Sequence, residues 1–405
     1  MLFYAVSLSQ NCSLEYLVSY LESRYCIEMR KQLLDERFSE RTVNFVKSVL
    51  SRLIDEQFSH VLYNESFLSE FNYVRIKDST KFIVPSNLEA HYKGCGGSGS
   101  TASICIQFEF DLKTGKFLDL TLTEAVRNDQ QDAKETTEDV CKNDLVIRDL
   151  GYFSLPVLQK IVEKEAFFLS RLLSNVSVYD ENGVEIDFAK LYVFMKEHSV
   201  EQYDKQVFIG KDKIPMRLII GLVPPEVYQD RLRRRQKEEK KKGRQTKDRT
   251  RILLHFNLFV TNVEARILPS EKVMPLYRFR WQVELMFKNW KSVFSIHTLQ
   301  KMKEERYITM LYIRLILIIV NLQIINQLQS TLSKHRIRDS ILSYKKTLQT
   351  LKNRFSDILY ILRCEQEKAM EILKNIYLIL SKNHWREKRK KRENYLENIG
   401  LFICQ

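Results

Sequence analysis

Residues 276–399 contain neither glycine nor proline, whereas all seven prolines and ten of the eleven glycines precede that stretch. Tight turns draw on residues that tolerate positive φ or fix it, so a segment lacking both cannot be a meander of short strands. It is predicted to be mostly helical, and the apolar recurrence at three and four in Ile341, Leu342, Tyr344, Leu348 and Leu351 agrees. Residues 13–57 also read as helices. A first helix, a turn around Tyr25 and Cys26, and a second helix bearing Lys31, Gln32 and Arg37 resemble a helix-turn-helix only loosely.

Between these helical ends the chain turns strand-like. Residues 73–76, 104–110 and 117–122 are short β-type runs, the last two joined by the turn Lys113-Thr114-Gly115, and 145–147 reads as a short buried strand. A second strand-rich block covers 206–209, 216–223 and 252–260. The expected class is α/β, a mixed sheet covered by helices, with an inserted β subdomain from which a charged segment projects.

Lysine and arginine exceed aspartate and glutamate by 65 to 51, a net charge of +14. Residues 231–251 hold twelve basic against three acidic side chains, and 386–393 six against two, so 13 of the 14 surplus charges sit in two patches. Such patches attract a polyanion, nucleic acid or an anionic membrane. A spanning helix is disfavoured, because the most apolar run, 315–320, is six residues between Arg314 and Asn321, against the roughly 20 a bilayer needs. No basic stretch precedes a long apolar one at the N-terminus, so no signal peptide is read. The seven cysteines are odd in number and form no C-x-x-C pair, which argues for a reducing, cytoplasmic compartment.

Several motifs fail on chemical grounds. In KGCGGSGST, Gly94, Gly99 and Thr101 fit part of a phosphate loop, but Ser100 stands where its lysine belongs, so nucleotide binding is rejected in favour of a loop between strands. The histidines are scattered, and no pair has metal-ligand spacing.

LYRFRWQVELMFKNWKSVF is more informative. At 100° per residue on a single helix, Tyr277, Arg280, Glu284 and Lys291 share one polar stripe. Glu284 could bind a metal while Arg280, Lys291 and the Tyr277 hydroxyl donate to phosphate oxygens. An ordinary amphipathic helix with an Arg280–Glu284 ion pair explains the same spacing, and geometry alone leaves both readings open. Trp281 and Trp290 read as packing residues. Asp78 and Asp149 each follow a short apolar strand and could join Glu284, though each also suits a common turn.

Together these residues carry a resemblance. Asp78 in KDSTKFIVP, Asp149 in VIRDLGYF, then the complete spacing Y-x2-R-x3-E-x6-K resemble the DDE transposases of bacterial insertion sequences, the family known by its YREK signature. FDLKTGKF, VTNVEA and RWQVELMFKNWKS are similar as well, and the resemblance covers roughly residues 13–300.

The resemblance implies an RNase H-like mixed-sheet catalytic core with an inserted β-strand subdomain and helical N- and C-terminal regions. The expected boundaries are a helical N-terminal region at 1–65 that could bind DNA, a first part of the core at 66–155, the insertion with its basic arm at 156–270, the second part of the core at 271–330, and a helical region with a basic tail at 331–405. Asp78, Asp149 and Glu284 would be catalytic and would bind two Mg²⁺ ions, which Mn²⁺ could replace, with Asp78 bridging them. Tyr277, Arg280 and Lys291 would hold phosphates of the element's ends, and Arg233, Arg234 and Arg235 would contact duplex phosphates from the arm. The carboxylates are expected to converge within a few ångströms of one another. The implied partners are the terminal inverted repeats, target DNA and a second copy in a synaptic homodimer near the nucleoid.

Two departures bear on this. Relatives commonly carry more sequence ahead of the region matching 13–57, so end recognition is expected to be incomplete here. Some relatives stack a tryptophan of the insertion on an unpaired base, where HFNLFVTN offers only Phe256 and Phe259. The alternatives are a catalytically inactive DNA-binding remnant and a nuclease of the same fold without strand transfer.

Overall fold

The computed structural model describes residues 13–57, 66–96, 100–243, 245–334, 342–361 and 363–385. Helices α1 (Leu14–Tyr25), α2 (Lys31–Arg37) and α3 (Glu40–Asp55) come first. Ser13 caps α1 by accepting from the Tyr16 amide, and Cys26 ends it in the left-handed conformation at φ 53°, which gives the expected helix, turn and helix. Strand β1 (Val74–Ile83) precedes the hairpin of β2 (Ser103–Asp111) and β3 (Phe117–Glu124). The Asp111 carboxylate accepts from the Lys113 and Thr114 amides, and Gly115 supplies the positive φ the hairpin turn requires.

There follow α4 (Asp129–Thr136), β4 (Leu145–Arg148), α5 (Leu155–Glu163), β5 (Phe167–Arg171), β6 (Val178–Tyr179), α6 (Phe188–Glu197), β7 (Gln202–Ile209) and β8 (Ile214–Leu222). Next come α7 (Pro225–Lys242), α8 (Asp248–Leu253), β9 (Phe256–Thr261), α9 (Ser270–Arg278) and α10 (Arg280–Val293). The closing helices are α11 (Glu304–Lys334), α12 (Tyr344–Asn353), α13 (Phe355–Ile361) and α14 (Gln366–Asn383), so the described part of the breaker-free stretch is mostly helical, with an irregular segment at 294–303. The expected basic tail at 386–393 lies outside the described residues.

The chain divides into two compact units, one drawn from residues 1–64, 78–127 and 281–405, the other from 65–77 and 128–280. In the second unit strands are ordered β1-β4-β5-β9-β8-β7-β6, with β1, β4 and β5 parallel and the remaining neighbours antiparallel. The class is α/β with a mixed sheet. All four residues of β4 are buried, as a central parallel strand covered on both faces requires. On one side Val157, Leu158 and Ile161 of α5 join Val146, Phe168, Leu218 and Val260 in a single apolar core. That core excludes water from three buried cations on β1 and β4. Arg75 meets Asp144 at 3.1 Å, Lys77 meets Asp132 at 3.0 Å, and Arg148 donates to the Ala133 carbonyl.

In the first unit, Phe287 and Trp290 of α10 pack edge-on to Phe108 of β2, with ring centroids 6.0 and 4.9 Å away. Helix α11 packs on α3, and Arg306 of α11 pairs with Asp35 of α2 at 3.0 Å. By length and composition α11 could cross a bilayer, but 83% of its most apolar window is buried within the protein, so it is a core helix.

Three expectations are corrected. Strand β1 does not end at Ile76 but continues through Asp78 to Ile83, with Thr80 and Phe82 buried and Lys81 and Ile83 exposed. Polar residues on both faces hide that period of two. Ile252 and Leu253 belong to α8 rather than to β9. Trp281 is exposed while Trp290 is fully buried. Nine residues at 100° each place the two on opposite sides of α10, so only one can pack.

Candidate active site

The segment expected to be one helix from Tyr277 to Lys291 is two, because α9 ends at Arg278 and α10 begins at Arg280. Tyr277 therefore does not share a helix with Glu284 and Lys291, and its contacts lie within the second unit. Its ring lies 5.2 Å from that of Phe259, and its hydroxyl donates to the Arg148 carbonyl at 3.4 Å. Burial pushes the Tyr277 phenol up to about 12, with Arg280 opposing and Asp149 adding to the shift. The hydroxyl is thus protonated at neutral pH and braces the last residue of β4.

Asp149 immediately follows that strand, with its side chain 42% exposed. The Arg280 guanidinium stands 3.3 Å from its carboxylate, so the first residue of α10 and the end of β4 meet through opposite charges. Parallel pairing of β1 with β4 runs from Val74 opposite Leu145 to Lys77 opposite Arg148. Asp78 follows Lys77 within β1, and Asp149 is the first residue after β4. Asp78 is half-buried in β1, where its Oδ1 accepts from the Ser79 amide at 2.8 Å.

Glu284 lies on α10 and opens onto a cavity of about 470 Å³ in the first unit, lined also by Ser79, Thr80, Lys288, Lys291 and His297. Glu284, Lys288 and Lys291 are spaced at four and three, one face of a helix. The Lys291 ammonium donates to the Lys81 carbonyl at 3.3 Å, and burial lowers its pKa. His297 was not picked out by sequence because an isolated histidine has no signature. Lys288 could have been, since it continues the stripe of Glu284 and Lys291.

The basic arm is largely α7, no residue of which is buried. Its arginines divide by face. Arg231 donates to the carbonyls of Leu254 and Phe256 and to Asn257, fastening α7 to β9. Arg234 and Arg235, with Arg231 and with Arg171 at the end of β5, line a second cavity of about 500 Å³ beside Leu150. Arg235 also pairs with Glu238 at 3.1 Å, whereas Arg233 points elsewhere and pairs with Asp230 at 3.4 Å.

A hard divalent cation takes carboxylate oxygens and keeps part of its water shell. Asp149, partly exposed and already facing a cation, and Glu284, open to a cavity, suit such an ion in donor chemistry. Among the described residues no three histidine, cysteine, aspartate or glutamate side chains gather closely enough to hold one. Like charges repel unless cations stand between them, so acidic side chains crowd only at an electrostatic cost. The donors fit an ion in kind and not as an assembled cage.

The chain belongs to the transposase DDE domain family, which matches residues 69–322, and its function is DNA transposition. It is 30% identical over 407 residues to the transposase for insertion sequence element IS231B of Bacillus thuringiensis subsp. berliner, covering 96% of this chain and 84% of that protein. The transposase for insertion sequence element IS231F of Bacillus thuringiensis subsp. israelensis is 30% identical over 91% of this chain and 80% of its own length. The transposase for insertion sequence element IS1151 of Clostridium perfringens is 30% identical over 74% and 67%. The family as a whole depends on divalent metal.

Proposed function

We propose that the chain cuts DNA at the ends of an insertion sequence and joins the released ends to target DNA, with Asp78, Asp149 and Glu284 as the carboxylates that hold two Mg²⁺ ions. The carrying observation is the parallel register that stops at Lys77 and Arg148, each followed directly by one of the two aspartates. The metal, when bound, supplies Lewis-acid activation of the attacking hydroxyl and offsets charge on the leaving oxygen. Everything else falls to the chain's own groups. Arg280 and Lys291 hold backbone phosphates, and Arg280 exchanges its contact with Asp149 for a phosphate oxygen when DNA enters; the Tyr277 hydroxyl, expected to join them, is instead buried and given to the Arg148 carbonyl. Arg234 and Arg235, with Arg233 on the outer face, attract the duplex through its phosphates without reading bases.

In this reading β1, β4 and β5 belong to an RNase H-like core, β5 leaving the insertion expected at 156–270 because it pairs parallel to β4, the strands from β6 to β9 belong to that insertion, and residues 1–65 to an end-recognition region. Two copies act together on paired ends in the cytoplasm. The test is a nicking assay on a duplex carrying the element's terminal sequence. Glu284→Gln, Asp78→Asn and Asp149→Asn should each abolish nicking and strand transfer in Mg²⁺ or Mn²⁺ while duplex binding stays close to that of the wild type. A Glu284→Gln protein that still nicks sinks the triad.

A further inference from the structure

We propose that His297 is a phosphate-binding residue whose imidazole donates an N–H to a backbone phosphate oxygen of the DNA strand that Lys291 holds. This rests on the reading above and adds to it a residue that neither the signature nor its spacing contains.

His297 lines the Glu284 cavity together with Lys288 and Lys291, two ammonium groups against one carboxylate, with the hydroxyl residues Ser79 and Thr80 on the facing strand. A space of about 470 Å³ so lined has donors on more than one side, as a phosphodiester needs. The turn that presents His297 is fastened from behind. Ser295 adopts φ 52° there, and the buried Arg314 of α11 donates to the Ser295 carbonyl. Lys352 of α12 donates to the Val293 carbonyl at 2.5 Å, which ties down the end of α10 in the same way. Two cations on two helices thus hold a turn whose own side chain is exposed. Among the described residues the imidazole has no hydrogen-bond partner. Partial burial, then Lys291 and Arg314, lower its pKa, and in either protonation state the ring keeps an N–H to give. An imidazole beside the lysines adds a directed bond to a phosphate.

The experiment is fluorescence anisotropy of a labelled duplex carrying the element's terminal sequence, titrated with full-length protein in EDTA so that neither cleavage nor metal ligation contributes. Hydrogen bonds to charged groups are worth enough that His297→Phe, which keeps a ring and loses the donor, should weaken binding about tenfold or more. His297→Asn, which restores an N–H, should bind nearly as the wild type does. Wild-type affinity in His297→Phe overturns the inference, and so does equal weakening of both variants, which would mark a packing role. A loss that appears only when Ca²⁺ replaces EDTA overturns it in favour of metal ligation. Lys291→Met separates the two levels. If it weakens binding while His297→Phe does not, only the histidine assignment falls, and if Lys291→Met has no effect the phosphate reading of the whole cavity falls.

Discussion

Lys77 and Asp132 form an ion pair at 3.0 Å with both side chains out of solvent, one residue before Asp78. Removing one partner strands a charge where water cannot reach it. Asp132→Asn is therefore expected to cost about 3–5 kcal/mol in urea unfolding, and pairing it with Lys77→Met should recover much of the loss. A variant within error of the wild type would mean that the pair is solvated on opening. At this scale much of the site is legible in the sequence. Glu284 and Lys291 share a face because seven residues are close to two helical turns, and Asp149 follows a strand that opens with a continuous apolar run at 145–147. Tyr277 is not legible, because nothing in YRFRW marks Phe279 as the break between two helices.

Helix α7 shows how an element of uniform composition acquires faces. Eighteen residues with almost no apolar side chain would be expected to be solvated all round. Arg231 nevertheless supplies three hydrogen bonds to the α8–β9 segment, and Tyr228 stacks on His255 with ring centroids 3.8 Å apart. Arg231→Ala should detach this helix, read as faster amide exchange across 225–242 and lower resistance to trypsin, while Arg233→Ala should leave both unchanged. Equal exchange in the two variants would count against the staple. Composition revealed the charge of this element but not which arginine is structural, since that depends on carbonyls more than twenty residues away.

Over the whole molecule, two expectations concern ionic conditions. Burial pushes Tyr277 and Tyr307 up to about 12 from an ordinary 10.0. A raised phenol favours the folded state in full below its unfolded value and loses that contribution as pH rises through the folded value. Stability should therefore fall between pH 10 and 12, with loss of helical circular dichroism coinciding with phenolate absorbance at these residues; Tyr277→Phe should blunt it. The net charge of +14 predicts a steep salt dependence of duplex binding, and Arg233, Arg234 and Arg235 changed together to Ala should lower the log-log slope by about 0.9 for each phosphate that the arm no longer neutralises. An unchanged slope would remove the arm from the interface. By itself the sequence determined the helical end, the order of three carboxylates along the chain and the placing of excess charge in patches. All of these are matters of composition or of near-neighbour spacing. Only the tertiary structure decided the parallel register that carries Lys77 and Arg148 opposite each other, the break at Phe279, and the turn that brings His297 to Glu284. Each of these pairs groups distant in the chain or breaks a local pattern, and the energies that select them come from packing and burial that no window of sequence contains.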